Sequence, residues 1–217
     1  MKAAVYTGTR NYYPYMIPAV KSLLAHSDVD EVYLLIEDDV FPYKLNEKVK
    51  TINVSDQEYF RDGPNMNSRF TYMAMMRAAL AFVFPSYDRI LSLDCDTIVD
   101  QDISDLWDLP IEDCYFSASP EYHKTTRDFM YCNVGVTLFN LAKLRDGKAQ
   151  EVIDRINTEH FDFVEQDAFN YLCQSFIYPM DGDYNACTWT THTDHPKIYH
   201  FAGYRDWMGF PEVQKYL

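Results

Sequence analysis

The sequence predicts an α/β fold, a mainly parallel mixed sheet flanked by helices, and three observations predict it. Apolar strands and helices alternate through the first half of the chain, the pattern of a parallel sheet. The second half mixes strand pairs with helices, which adds an antiparallel portion. The apolar strand Arg89–Leu93 stops at Asp94 and Asp96, and open α/β sheets gather ligands at the carboxyl edge of their strands.

In order, Lys2–Tyr6 reads as a strand, Thr7–Tyr13 as a loop and Pro14–Ala25 as a helix. Val32–Ile36 and Val49–Val54 are the next strands, the latter inside a segment, 41–64, that reads as a poorly structured insert. Ser68–Phe84 is a long helix ended by Pro85. After Arg89–Leu93 come a short helix or turn at Ile103–Trp107 and strands at Tyr115–Ser119 and Val134–Phe139. Helices at Lys148–Thr158 and Gln166–Phe176 and a last strand at Lys197–Phe201 complete the reading. No repeat or linker divides the chain, so residues 1–217 are expected to form a single domain.

Bulk properties exclude several classes. A net charge of −14 argues against a nucleic-acid partner, which needs a basic surface, and against docking on an anionic membrane. The longest apolar run, Ala78–Phe84, is too short to span a bilayer, so no transmembrane segment is expected. The 5 cysteines are scattered, with no disulfide framework and no zinc-type spacing, which fits a cytoplasmic location. The aromatic content, 18 Tyr, 14 Phe and 3 Trp, suits either a sugar or base site or an aromatic core.

Four constellations carry chemistry. Asp94 and Asp96 are two apart on an extended chain, so both point to one side and can hold a hard divalent cation. Three other Asp-x-Asp pairs exist, at 28/30, 100/102 and 181/183, but only 94/96 directly follows an apolar strand. Arg77 falls within the apolar stripe of the Ser68–Phe84 helix and is the only charge between Arg69 and Asp88. A guanidinium there needs an anion, either substrate or Asp94, or a structural partner. Asn133 and Gly135 open an apolar strand, where glycine either permits the close approach of a ligand or marks a bulge or a tight sheet contact. Glu165, Gln166 and Asp167 open a helix, where the dipole favours acids. Near the end, His200 could complete a mixed oxygen and nitrogen site suited to Mn²⁺, with Gly203 and Arg205 able to meet a phosphate.

In this order the pieces resemble glycosyltransferase family 8, the retaining nucleotide-sugar transferases of the Rossmann-like GT-A fold that include bacterial galactosyltransferases and glycogenin. The similarity covers nearly the whole chain. Asp94-Cys95-Asp96 with the trailing Leu106-Trp107 looks like the family's metal motif, and Cys132 to Val136 is similar to its Phe-Asn-Ala-Gly-Val strand. Gln166-Asp167 sits in its Asp-Gln-Asp helix start, and His200 to Trp207 resembles its closing His-x-x-Gly-x-x-Lys-Pro-Trp. Two positions depart from the pattern: Glu165 replaces an Asp that touches sugar hydroxyls, and Asp206 replaces the Pro of a segment one residue longer.

The resemblance implies that Asp94, Asp96 and His200 bind Mn²⁺ (or Mg²⁺), and that Thr7, Asn11 and Tyr12 hold the uridine of a UDP-sugar. It places Cys95, Asn133, Gly135 and Glu165 around the donor, Gly203 and Arg205 at its diphosphate, and Gln166, Arg77 and Asp167 at the reacting centre. The implied reaction moves a hexose from UDP-glucose or UDP-galactose to an acceptor hydroxyl on a glycan, a small molecule or a protein, with retention. Two alternatives stay open at this level. One is a sugar-phosphate nucleotidyltransferase, weakened by the missing glycines before Gly8-Thr9-Arg10. The other is a non-catalytic nucleotide-sugar-binding domain.

Overall fold

The computed structural model describes residues 1–122, 129–190 and 192–217. Its strands are β1 (Ala3–Thr7), β2 (Glu31–Ile36), β3 (Val49–Asn53), β4 (Arg89–Leu93), β5 (Thr97–Val99), β6 (Phe116–Pro120), β7 (Cys132–Asn140), β8 (Ile177–Pro179) and β9 (Ile198–His200). Seven of them form one sheet in the order β3-β2-β1-β4-β7-β6-β8, and β5 and β9 form a separate antiparallel pair. The first four strands of the sheet are mutually parallel, whereas β7 runs antiparallel to both β4 and β6. The expected α/β architecture, parallel at one side and mixed at the other, is therefore present.

Strand periodicity sends alternate residues to opposite faces. Ala4, Tyr6, Leu34, Ile36, Leu91 and Leu93 pack with helix α1 (Tyr13–Ala25). Ala3, Val5, Leu35 and Ile90 face the opposite core, shared with α2 (Tyr72–Met75), α3 (Leu80–Val83), α4 (Leu141–Leu144), α5 (Lys148–Thr158) and α6 (Val164–Cys173). All nine residues of β7 are buried, as a strand covered on both faces requires. No helix among the described residues is long and apolar enough to cross a membrane.

Antiparallel pairing of β4 with β7 positions the site. Leu93 lies opposite Val136, and the Asp94 amide donates to the Gly135 carbonyl at 2.8 Å. The polar start of β7 is thereby laid beside the acidic end of β4.

The structure corrects several boundaries. The helix expected over Ser68–Phe84 begins only at Tyr72 and is interrupted by a 3₁₀ turn at Met76–Ala79. Ser68 explains the late start: its hydroxyl accepts from the Phe70 amide and donates to the Phe70 carbonyl, a local turn that competes with helix. The tighter 3₁₀ turn holds Arg77 itself. The last long helix starts two residues earlier than expected and gives way to a 3₁₀ turn and the short strand β8. The 41–64 segment contains β3 as expected, but it is anchored rather than poorly held, because Phe41 and Phe60 are both buried.

Far from the acidic edge, Glu31 pairs with Lys50 and accepts from the hydroxyls of Tyr33 and Tyr87. These partners, Lys50 foremost, lower its carboxyl from the usual 4.5 to about 2. A depressed carboxyl stabilises the fold above its unfolded value, and that stabilisation drains away as pH falls from 4.5 toward 2. Glu31→Gln is therefore expected to melt below wild type at neutral pH, with the gap closing across that acid window. A Tm difference independent of pH would contradict this account.

Candidate active site

Asp94 and Asp96 extend from the end of β4 with side chains about a third exposed (31% and 30%), whereas the His200 side chain is 2% exposed. Pairing of β5 with β9 sets Thr97 opposite His200, and the Phe201 amide donates to the Asp96 carbonyl at 2.9 Å. His200 Nε2 consequently lies 3.4 Å from both Asp94 Oδ2 and Asp96 Oδ1. One ligand atom from each of the three residues falls within 4.8 Å of the others, a spread that suits a single cation.

Electrostatics bind the three together. Burial opposes ionisation of Asp96, but the adjacent His200 outweighs it and holds the carboxyl below its usual range. Burial likewise opposes the charged imidazole, yet Asp96 raises His200 to about 9. A divalent cation held by these three would require Nε2 without its proton.

Gly135 makes the convergence possible. A Cβ at this position would lie 2.2 Å from His200 Cε1 and 2.8 Å from both His200 Nε2 and Asp94 Oδ2. Only a residue without a side chain lets β7 pass so close to the ligand atoms. The chemistry of the donor set and this cleared space both fit a divalent cation.

Arg77 resolves its two sequence readings by satisfying both. It is 6% exposed, contacts Asp94 through Nη2, and donates from Nη1 to Glu165 Oε1 at 2.6 Å. Its Nε has no acceptor among the described residues. Burial pushes the Glu165 carboxyl up, with Arg77 opposing. Glu165 follows Val164, which adopts φ 42° at the first position of α6. A β-branched residue in that region is strained.

Gln166 is locked in place. Its Nε2 donates to Glu121 Oε1 at 3.0 Å and to the Tyr131 hydroxyl at 3.1 Å, and its Oε1 accepts from the Val134 amide at 3.1 Å. Asp167 turns inward, accepting from the Tyr131 hydroxyl at 2.5 Å and the Phe163 amide at 2.9 Å. Asn133 donates to Glu121 Oε1 at 3.2 Å and accepts from the Gly135 amide at 3.0 Å.

The first loop closes over the same edge. Thr7 ends β1, and its carbonyl accepts from Cys95 Sγ at 3.3 Å. Burial drives the Cys95 thiol up to about 12, so it stays protonated. Burial raises the Tyr12 phenol too, with Cys95 and Asp96 adding to it, so this exposed ring lies in the field of Asp96. Asn11 is exposed beside it. Gly203 adopts φ 84°, which favours glycine, and Arg205 is exposed with no ion pair to the described residues.

The structure thus brings Arg77, Asp94, Asp96, Asn133, Gly135, Glu165, Gln166 and His200 together, while Arg205 stands at the surface. Sequence reasoning missed Glu121, Tyr131 and Asn185. Glu121 follows β6 directly, a strand-end carboxylate like Asp94, and that signal could have found it. Asn185 had none, since an asparagine in a polar stretch reads as a turn residue.

Comparison with known proteins fits this geometry. Among curated proteins, the chain is 26% identical to glycosyltransferase GlyD of Streptococcus pneumoniae over 94% of its own length and 28% of that protein's. It is 28% identical to GlyE of the same species, over 85% of this chain and 47% of GlyE. The chain thus spans between about a quarter and a half of the length of these curated relatives. Among solved structures, the galactosyltransferase LgtC, determined with donor and acceptor sugar analogues, superposes with a TM-score of 0.72 at 20% identity, covering 98% of this chain and 93% of LgtC. The bifunctional glycosyltransferase WbbM gives 0.74 at 15% identity, over 94% of this chain and 46% of WbbM. The shared fold is GT-A. The family model for glycosyl transferase family 8 matches residues 4–207. By that match, the chain belongs to glycosyl transferase family 8.

Proposed function

We propose that residues 1–217 form one metal-dependent, retaining hexosyltransferase domain that takes UDP-glucose or UDP-galactose as donor and a hydroxyl of a glycan, small molecule or protein as acceptor. The convergence of Asp94, Asp96 and His200 in the space cleared by Gly135 carries this reading. Those three side chains would hold Mn²⁺ or Mg²⁺. A bound divalent cation supplies Lewis-acid stabilisation of charge on a leaving diphosphate.

The chain's own residues do the rest. Arg77 keeps positive charge beside the acidic pair. Glu165 fixes that guanidinium. Thr7, Asn11 and Tyr12 form the loop offered to the uridine, and Gly203 and Arg205 the segment offered to the diphosphate. Gln166 presents only its carbonyl oxygen for further contact, because both amide hydrogens are engaged. Asp167 orients it through Tyr131. An amide is a poor nucleophile, so we favour attack of the acceptor on the same face from which UDP departs, through a transition state with oxocarbenium character. A trapped glycosyl-enzyme adduct would refute that route. The cytoplasmic placement suggested by the cysteines is part of this proposal.

The test is UDP release from UDP-glucose and UDP-galactose with and without Mn²⁺, repeated with Asp96→Ala. A ligand loss worth several kcal/mol of transition-state stabilisation predicts a drop of about 100-fold or more. Turnover indifferent to both metal and Asp96 would sink the reading, and tight UDP binding without turnover of any donor would favour a non-catalytic domain.

A further inference from the structure

His200 is held by a line of amides whose direction is forced. It begins at the Gly135 backbone N–H, which can only donate and gives its hydrogen to Asn133 Oδ1 at 3.0 Å. Asn133 must therefore turn its NH₂ the other way, where Glu121 Oε1 accepts it at 3.2 Å. The same Asn133 oxygen accepts from Asn185 Nδ2 at 3.0 Å. That contact fixes the second amide in turn, and Asn185 Oδ1 is left facing His200 Nδ1 at 2.8 Å. An amide oxygen can only accept, so Nδ1 carries a hydrogen whenever this line is intact. The nitrogen free to give up its proton is Nε2, the one directed at Asp94 and Asp96.

Asn185 is fully buried, and its turn is joined to the strand of its target. The next residue, Ala186, bridges to Tyr199, and its carbonyl accepts from the His200 amide at 3.0 Å. The Asn185 carbonyl is tied by the Thr190 hydroxyl, so the turn carrying it is closed on itself.

We propose that Asn185 is the positioning residue of the cation site: it fixes His200 as the Nδ1–H form and aims Nε2 as the ligand, with Asn133 and Glu121 setting the direction of its amide. This rests on the reading that a divalent cation sits among Asp94, Asp96 and His200. Partners of this kind raise ligand basicity and fix ring orientation at metal-bound histidines.

The test compares Mn²⁺ dissociation constants, read from the electron paramagnetic resonance of free Mn²⁺, for wild type, Asn185→Leu and Asn185→Asp. Leucine keeps the same heavy-atom branching but cannot accept from Nδ1, and its affinity is expected to fall about 10–100-fold. Aspartate keeps an acceptor for Nδ1 but sets its second oxygen against Asn133 Oδ1, so its affinity is expected to fall, though by less than that of leucine. A packing role predicts the reverse order, since a new buried charge is costlier than an apolar isostere. Leucine binding as tightly as wild type, or aspartate binding no better than leucine, overturns the assignment. Should leucine fail to fold, Asn185→Ala takes its place, with the same expected fall and the same comparison with aspartate. A wild-type protein that binds no Mn²⁺ removes the cation site itself, an outcome distinct from loss of the Asn185 role.

Discussion

Replacing Gly135 by alanine is expected to abolish cation binding and sugar transfer while leaving the protein folded. The new methyl would sit 2.2 Å from His200 Cε1, and neither the imidazole nor Asp94 can yield without leaving the ligand set. His200 cannot swing aside freely, because Nδ1 is held by Asn185 and the backbone is paired on both sides. Overpacking of this kind costs about 1–3 kcal/mol of stability. For a chain of this size that lowers the Tm by about 2–12 °C. The functional loss is expected to be far larger, about 100-fold or more in Mn²⁺ affinity, as for a misdirected ligand. Calorimetry alongside Mn²⁺ titration checks both halves. An alanine variant with wild-type affinity would mean that the imidazole does not approach β7 as described.

Removing the Arg77 guanidinium should have the largest effect on stability. Arg77→Met leaves Glu165 buried without its partner and deprives Asp94 of its neighbour. Breaking a buried ion pair from one side costs about 3–5 kcal/mol. The Tm should fall by about 6–20 °C, and turnover should be lost as well. Both effects from one substitution cannot separate fold from function, but a second substitution can. Adding Glu165→Gln removes the stranded charge, so the double variant should regain much of the lost Tm without regaining transfer. Recovery of transfer along with stability would show that Arg77 serves only the fold.

The alternation of strands and helices gave the architecture away because it reflects burial, which long elements state clearly. Short elements do not. β5 and β8 have three residues each, too few for a period to register, and β8 follows a helix whose apolar pattern runs into it. The break inside the Arg77 segment was hidden because a 3₁₀ turn and an α-turn bury nearly the same residues. In the site, Asp94 and Asp96 stood out by their place after a buried strand, and Arg77 by its charge in an apolar stripe. The partners of Gln166 and His200 did not stand out. Glu121, Tyr131 and Asn185 act by touching other side chains across the sheet, and such contacts leave no mark of spacing along the chain. The role of Gly135 was legible only in outline: glycine in a strand suggests close approach, but what approaches is set by β9.

The two-stranded ribbon of β5 and β9 has a consequence for biosynthesis. The acidic pair is made early, at 94 and 96, and the imidazole only at 200, on a strand outside the main sheet. A ribosome can therefore release and shape most of the β-scaffold while the acidic pair is still without the imidazole beside it. The candidate site is completed only once β9 has been made, by the docking of one short ribbon.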